Sequence, residues 1–599
     1  MTDINLTNVT QDGSTTLFSG ISSGIDSQAT IEAILAAKRA PAVLIERKIE
    51  ANNQKISDFN ELKDLTTNFK DALELLRGPT LSGSTDVFEQ NLSFTTSQAT
   101  ATAPAEHVPS GADSLIGVSV TEDAVKGSHT VEVVQLATSH QVRSDAFTDV
   151  STDLTTLGYT AGTFTINGQD VTLAIGDTLQ DLQDKINVLD TSATPTNVVA
   201  SIITVSATES YLTLTSTETG VANAITLAGD ALVTDSLGLT NVGAIKTELT
   251  APVDAIVRVD GLGVDITRSS NTIDDVLEGV TLNLFKAEAD TEIKIDIEAD
   301  INTIKSTIGA FVDTYNALRE FVADQRSEQV RIEGEDPEFG SLAFDSTLRR
   351  ISDKLAELTV TNVEGIDPAS GFASISQIGI QMNTSFELEM NDSTFDNAIL
   401  TNLDGVKKLF SFDFSSSDSR VHHYKHSGDP SNQVDGGGIV TPYYLNIGGT
   451  DADGNIISSN FSDTIGAGTG NDPTVTIDGV LINVTDPSAA DGLQLLYIGN
   501  PSDPAIADIE ISFTRGVADT LFGFFDDVVG ETDAAIESAI SNLQTQNTDY
   551  DQDVTDIDTR LEITRKNLNS RFLAMEIAMS RLNSLKDTLQ QYSDSLGGE

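Results

Sequence analysis

The feature that most constrains this fold is a long apolar repeat near the C-terminus. From Ile536 to Leu596 the repeat positions follow one another in alternating steps of four and three. A seven-residue repeat held over about eight periods keeps one helix face directed at a partner helix, which predicts a coiled coil. Asn547, Thr564 and Arg571 interrupt the repeat. Such polar positions either fix the register of a helix pair or face outward where the helix leaves its bundle, and both interpretations stay open.

A second amphipathic helix is predicted near the N-terminus. Apolar residues between Ile45 and Leu76 recur mostly in steps of three and four, which places them on one helix face. Pro41 sits where a new helix would begin after a shorter amphipathic stretch, and Gly78 and Pro79 would end it. Because each end of the chain supplies a helix with one apolar face, their simplest joint burial is against each other. The terminal domain would then be discontinuous.

The residues expected to form this coiled-coil and interaction face come from both ends of the chain. They are Ile45, Ile49, Ile56, Phe59, Leu62, Phe69, Ile557, Leu561, Leu568, Phe572, Met575, Met579 and Leu582. We interpret Leu568 to Leu582 either as a surface for other subunits or as a face that packs only on the N-terminal helix of the same chain.

The middle of the chain is predicted to be antiparallel β-structure. Residues 95–300 contain short alternating runs rich in Thr, Val, Ser and Gly. Asn167-Gly168 and Asp260-Gly261 each separate two such runs, and Asp478-Gly479 does so in a later region. These dipeptides tolerate the positive φ angles of tight hairpin turns. One short helix, TLQDLQDKIN, interrupts the first region.

The expected fold class is therefore α+β and multidomain, with a discontinuous helical coiled-coil or bundle domain from both termini and inserted antiparallel β domains. Residues 1–44 and 565–599 would form a terminal leg region that is partly disordered, with coiled-coil helices. The bundle would use residues 45–94, 301–414 and 515–564. A first β domain is expected from residues 95–160 and 245–300, a second from 161–244, and a Gly/Ser/Asp-rich insertion with one hairpin from 415–514.

The excess of acidic side chains makes some classes of binding partner unfavourable. The 599 residues contain 91 acidic and 34 basic side chains, a formal net charge of -57. A nucleic-acid binder needs a basic face, and an anionic membrane attracts basic segments, so neither partner is expected. The acidity is typical of a solvated surface and less of an acidic binding patch. The opening residues do not form a cleavable secretory signal, and no apolar run is long enough for membrane insertion.

No arrangement of residues predicts catalysis or a cofactor. The chain has no cysteine, no phosphate-binding glycine loop and no His-Glu-x-x-His motif. The histidines of VHHYKH, residues 421–426, are expected in a solvated loop and are a weak metal candidate. DADGN at 451–455 supplies oxygens at alternate positions but lacks the closing glutamate of a calcium loop, which favours a plain turn. GAGTG at 466–470 is expected to be loop.

Several segments resemble the bacterial flagellar filament cap proteins, the hook-associated protein 2 family. SGIDSQATIEAILAAKRAP is similar to the family's N-terminal segment, and AVKGSHTVEVVQLATSHQVRS resembles its first β-domain strand with a Gln-Leu-Ala signature. The stretch DAIVRVDGLGVDITRSSNTIDDVLEGVTLNL, with Arg268, Asn271 and Gly279, resembles the family's most distinctive region. TFTINGQDVTLAIGDTLQDLQDKIN resembles a module shared with flagellins, and LNSRFLAMEIAMSRLNSLKDTL resembles the closing helix.

The resemblance implies a secreted assembly factor at the distal tip of the flagellar filament, exported without a cleaved signal. Family members form a homo-oligomeric ring, described as a pentamer, that promotes flagellin polymerisation and prevents flagellin leakage. The implied partners are further copies of the chain, flagellin, hook–filament junction proteins and an export chaperone. No enzymatic activity, metal or cofactor is implied.

Two alternatives stay open at this stage. A surface adhesin would also suit an acidic, Thr-rich β region on a helical stalk, and the β domains of a cap could carry adhesion as well. Flagellin itself shares the module at 163–187, but the Gln-Leu-Ala and Arg-x-x-Asn stretches favour a cap protein.

Overall fold

The computed structural model describes residues 9–12, 15–18, 26–78, 86–328, 339–358, 362–366, 371–426, 430, 433–434, 440–462, 474–485, 490–530 and 534–596. Helices and antiparallel sheets both occur, which confirms the predicted α+β class. The chain divides into two compact units. We call residues 1–84 and 305–599 the terminal unit, and residues 85–304 the inserted unit.

The helices differ widely in length, from a single turn to 62 residues. They are α1 (Ser27–Glu74), α2 (Ala112–Leu115), α3 (Leu179–Asp190), α4 (Ala231–Ser236), α5 (Ile301–Arg326), α6 (Ser346–Glu357), α7 (Asp392–Thr401), α8 (Leu403–Phe410), α9 (Val517–Val529) and α10 (Ala535–Leu596).

The first two strands belong to the terminal unit and are β1 (Val9–Asp12) and β2 (Thr15–Phe18). The strands of the inserted unit come next along the chain. They are β3 (Asn91–Ala99), β4 (Ile116–Val120), β5 (Gly127–Gln135), β6 (Ser139–Phe147), β7 (Gly162–Ile166), β8 (Gln169–Leu173), β9 (Val198–Ser206), β10 (Glu209–Thr219), β11 (Leu227–Gly229), β12 (Thr240–Asn241), β13 (Ala244–Ile245), β14 (Glu248–Thr250), β15 (Ala255–Val259), β16 (Ile266–Arg268), β17 (Thr272–Leu277), β18 (Val280–Leu284) and β19 (Thr291–Ala299).

The later strands belong to the terminal unit. They are β20 (Ile380–Met382), β21 (Leu388–Met390), β22 (Phe412–Ser416), β23 (Val421–His426), β24 (Gln433–Val434), β25 (Val440–Thr441), β26 (Tyr443–Ile447), β27 (Ser459–Ser462), β28 (Thr474–Asp478), β29 (Leu481–Thr485), β30 (Leu493–Tyr497) and β31 (Ile506–Arg515).

The inserted unit contains two apolar cores. One lies between the five-stranded sheet β16-β15-β5-β19-β3 and the three-stranded sheet β17-β18-β4. The other joins the sheets β14-β6-β10-β9 and β11-β7-β8 to α3. Asn167-Gly168 forms the predicted hairpin turn between β7 and β8, with φ angles of 47° and 81°. Asp260-Gly261, with φ angles of 49° and 61°, forms a tight turn within the longer loop that joins β15 to β16. Thr178 caps α3 through a reciprocal capping box with Asp181.

Helix α1 is continuous through Pro41, so the prediction of a new helix at that position is wrong. A proline inside a helix removes one backbone hydrogen bond and costs about 3 kcal/mol. Tertiary contacts lie on both sides of the proline: Ala42 is fully buried, and Arg39 reaches Asp558 of α10. Pro79, the predicted stop, lies outside the described residues, and α1 ends earlier, at Glu74.

Residues 412–515 form more than the single hairpin we expected of an insertion. They build two four-stranded sheets, β22-β31-β26-β27 and β23-β30-β29-β28, around one apolar core. The VHHYKH segment is strand β23 rather than the predicted solvated loop. In these strands buried residues alternate with polar ones over only five or six positions. Such short alternation is hard to recognise in a sequence rich in Gly, Ser and Asp, so the strands were not predicted.

Candidate interaction surface on the terminal helices

Helices α1 and α10 pack antiparallel in the terminal unit. Arg39, Asn52 and Lys63 along α1 meet residues of successively lower number in α10, namely Asp558, Asn547 and Glu537. The ion pairs of Arg39 and Lys63 are well exposed, so each contributes at most about 1 kcal/mol. The apolar faces therefore hold the pair, and the charges bias its orientation.

An amide cluster around the buried Asn547 explains one of the polar interruptions in the repeat. Asn547 is 9% exposed. Its Nδ2 donates to Asn53 Oδ1 at 2.8 Å, and its Oδ1 accepts from Asn52 Nδ2 at 2.9 Å. Because only one alignment of the helices satisfies all three amides, the structure favours the register-fixing interpretation at this position.

The predicted interaction residues fall into three environments. Phe59, Leu62 and Phe69 are buried inside the terminal unit. The Phe69 ring lies 5.6 Å from the ring of Phe311 and 5.0 Å from that of Phe525. A half-buried group comprises Ile45, Ile49, Ile56, Ile557, Leu561, Leu568, Phe572, Met575 and Met579. Leu582 alone of the predicted set is largely exposed, at 60%.

Exposure of the repeat rises sharply toward the end of α10. Ile536 and Ile540 are buried, whereas Leu585 and Leu589 are 62% and 64% exposed. Three consecutive leucine positions from Leu582 onward thus present an apolar stripe to solvent at helical spacing. Single exposed leucines are ordinary, but a periodic stripe marks a surface that fits another helix.

A buried charge cluster links β23 to the helices of the terminal unit. The Asp519 side chain is completely buried at the start of α9. It accepts from His426 Nε2 at 3.0 Å, from Arg515 Nε at 2.8 Å and from Arg77 Nε at 3.2 Å. His426 Nδ1 lies 3.2 Å from His423 Nε2, and the Phe412 ring stacks on His426 at 4.3 Å.

The protonation states of this cluster follow from its burial. Burial, together with the neighbouring His426, lowers the pKa of His423 to about 3. Burial alone would raise the pKa of Asp519, but the hydrogen bond from His426 and the two guanidinium groups hold it below its usual range. The cluster therefore keeps an ionised carboxylate and a neutral His423 inside the protein. Sequence reasoning missed Asp519 because its partners lie 93 and 442 residues away.

The residues that carried the family resemblance have structural roles in this chain. Asp26 caps α1 by accepting from Ala29 N at 2.9 Å. Asn271 bonds both the N–H and the C=O of Ala137 in the Gln-Leu-Ala segment, at 2.8 and 2.9 Å. Gly279 has φ 69°, and a Cβ there would collide with the backbone of Ala124. Arg268 pairs with Asp275 on the surface.

The weaker candidates form no ligand site in the part of the chain that the structure describes. DADGN forms the expected turn, in which Asp451 accepts from the backbone N–H groups of Asp453 and Asn455. No group of three His, Asp or Glu side chains among the described residues is arranged to hold a metal ion. Within the same residues, no helix is both long and apolar enough to cross a membrane. GAGTG lies outside the described residues.

Comparison with known proteins assigns the family. The family models for the C-terminus and the N-terminus of flagellar hook-associated protein 2 match residues 253–584 and 23–140. The chain belongs to the flagellar hook-associated protein 2 family. This confirms the resemblance predicted from the sequence, and the family is one of structural flagellar proteins rather than enzymes.

Individual relatives cover different shares of the chain. The lateral flagellar hook-associated protein 2 of Vibrio parahaemolyticus is 31% identical over 312 residues, which cover 49% of this chain and 66% of that protein. The A-type flagellar hook-associated protein 2 of Pseudomonas aeruginosa is 26% identical over 433 residues, covering 66% and 81%. The D1-D2-D3 domains of the flagellar cap protein FliD from Escherichia coli are 25% identical, covering 59% and 89%, with a TM-score of 0.45.

Proposed function

We propose that this protein caps the growing flagellar filament, promotes flagellin polymerisation at its tip and prevents flagellin from leaking away. Its membership of the hook-associated protein 2 family supports this role. The observation that carries it is the apolar stripe of Leu582, Leu585 and Leu589 at the end of α10. A helix that leaves such a stripe in solvent is suited to dock on helices of other subunits.

We also propose that the terminal helices and the β domains have different roles. The half-buried face from Leu568 to Met579, continued by Leu582, would serve as the leg surface that contacts neighbouring copies or flagellin. The β domains would form the plate of a homo-oligomeric ring, with a pentamer as the working hypothesis. The nine residue ranges given above for the leg region, the bundle, the β domains and the insertion remain predictions.

The proposed location is the distal tip of the filament, reached by secretion without a cleaved signal. Hook–filament junction proteins and an export chaperone are further proposed partners. No observation favours the adhesin alternative.

Deleting the coding region in its host tests the proposal. We expect abundant free flagellin in the spent medium together with short or absent filaments, both reversed by restoring the gene. Normal filaments with little leakage would contradict the capping role. Replacing Phe572 and Met579 with Asp tests the leg surface: lost capping with normal helicity supports contact between subunits, whereas lost helicity means that the face packs only within the chain.

A further inference from the structure

Charge is segregated along α10. Residues 535–559, which we call the proximal segment, contain six acidic and no basic side chains. Residues 560–586, the distal segment, contain six basic side chains against Glu562 and Glu576, a net charge of +4. Since the whole chain carries -57, everything outside the distal segment carries -61. A basic block is therefore exceptional in this protein.

Helix α1 neutralises part of the proximal segment but not the distal cations. Arg39 pairs with Asp558, and Lys63 pairs with Glu537. Among the described residues, the six distal cations form no ion pair. They are Arg560, Arg565, Lys566, Arg571, Arg581 and Lys586. None of the carboxylates in the part of the chain that the structure describes pairs with these six cations.

Two of these cations share a helix face with exposed apolar residues. Ile563, Leu573 and Ile577 are 57%, 46% and 48% exposed, and Lys566 and Arg581 are exposed beside them. At about 100° per residue, these five side chains fall within an arc of about 80°. We call them the outer stripe. The half-buried face from Leu568 to Met579 lies on the opposite side of α10, so the outer stripe is a second, separate surface.

We propose that the outer stripe docks on a carboxylate-rich helix of a filament subunit, an inference that rests on the capping role proposed above. The apolar members are spaced by ten and four residues, as a partner helix requires, and the two cations within the same arc select acidic side chains on the partner. Charge complementarity thereby defines the chemistry of the partner.

A neighbouring copy in the ring fits this surface less well. Copies in a closed ring are related by rotation about one axis, so the same segments of α10 meet at the same height. The basic distal segment of one copy would then face the basic distal segment of the next, and like charges repel. An anionic membrane fits less well too, because the opposite face of α10 is already half-buried and the rest of the chain is strongly acidic.

The test measures binding of the full-length protein to filaments polymerised in vitro from the flagellin that the deletion strain releases into its medium. Salt concentrations run from about 50 to about 500 mM, a range over which exposed charges become screened. We expect wild-type binding to weaken about tenfold across this range. Lys566→Glu with Arg581→Glu should weaken binding about tenfold at low salt and remove most of the salt dependence. Lys566→Gln with Arg581→Gln should lie between the two.

A matched control makes the same change in net charge at two lysines outside α10. Lys126 and Lys425 are exposed and form no ion pair among the described residues, and Lys126→Glu with Lys425→Glu should bind like wild type at every salt concentration. Equal far-UV circular dichroism will show that all variants remain folded.

Five outcomes would overturn the proposal. The first is wild-type affinity and salt dependence in the Lys566→Glu, Arg581→Glu variant. The second is a change confined to oligomeric mass, which would assign the stripe to contacts between copies. The third is salt-dependent binding to phosphatidylserine vesicles but not to filaments. Wild-type protein that binds no filament at any salt concentration would overturn the capping role as well, whereas salt-independent wild-type binding would overturn only the charge-based docking.

Discussion

The start and the end of α10 carry the same apolar repeat in different surroundings. Near its start, Ile536 and Ile540 are buried and Asn547 is locked to two asparagines of α1. Near its end, Leu585 and Leu589 are mostly exposed. The period alone therefore predicts a helix with an apolar face. Whether that face packs within the chain depends on which other parts of the fold lie beside it. We infer that the first end serves stability and the second serves assembly.

The buried end should be the more sensitive to truncation. Phe69→Ala removes a ring that contacts Phe311 and Phe525 in the core, and we expect a loss of about 4 kcal/mol in the free energy of unfolding. Denaturant unfolding followed by circular dichroism measures it. Leu75→Ala, at a position that is 60% exposed, is the matched control and should cost less than about 1 kcal/mol. Equal losses would contradict the assignment of Phe69 to the core.

The Asp519 cluster should be nearly as sensitive. Asp519→Ala leaves Arg77 and Arg515 without their shared buried carboxylate, and we expect a loss of about 3 kcal/mol. Asp526→Ala removes a half-exposed carboxylate that pairs with Lys70 and should cost less than about 1 kcal/mol. The same unfolding measurement compares the two variants, and similar losses would show that the buried cluster adds no net stability.

The pH dependence of stability should report the neutral His423. Its pKa is about 3 in the folded chain and 6.5 for an unperturbed histidine, so the unfolded state binds the extra proton between these values. Stability should fall as the pH falls through this window, by up to about 1.4 kcal/mol per pH unit from this group. His423→Gln should flatten the dependence, whereas His422→Gln, at the exposed neighbour, should not. An unchanged slope in His423→Gln would contradict burial of a neutral imidazole.

The sequence allowed prediction where local chemistry determines structure. The repeat in α10 specifies a helix, and Asn167-Gly168 specifies a hairpin turn, because backbone conformation at those positions depends on adjacent residues. The VHHYKH strand was missed because His423, which is neutral inside the protein, packs like an apolar residue, yet it is polar in a sequence pattern. Asp519 was missed because its charge partners come together only in the folded chain.

The exposed end of α10 should be the least sensitive in stability and still matter for function. Leu585→Ser with Leu589→Ser changes side chains that are 62% and 64% exposed, so we expect the free energy of unfolding to change by no more than about 0.5 kcal/mol. The same variant in the deletion strain should release more flagellin into the medium than wild type, because its apolar stripe is lost. Val108→Ser with Ile175→Ser alters two residues of the inserted unit that are each 83% exposed and should leave flagellin release unchanged.

A stability loss of several kcal/mol in the Leu585→Ser, Leu589→Ser variant would instead show that this end packs within its own chain. Unchanged stability together with unchanged release would contradict its role in assembly, and the division of α10 into a folding end and a docking end would then have to be abandoned.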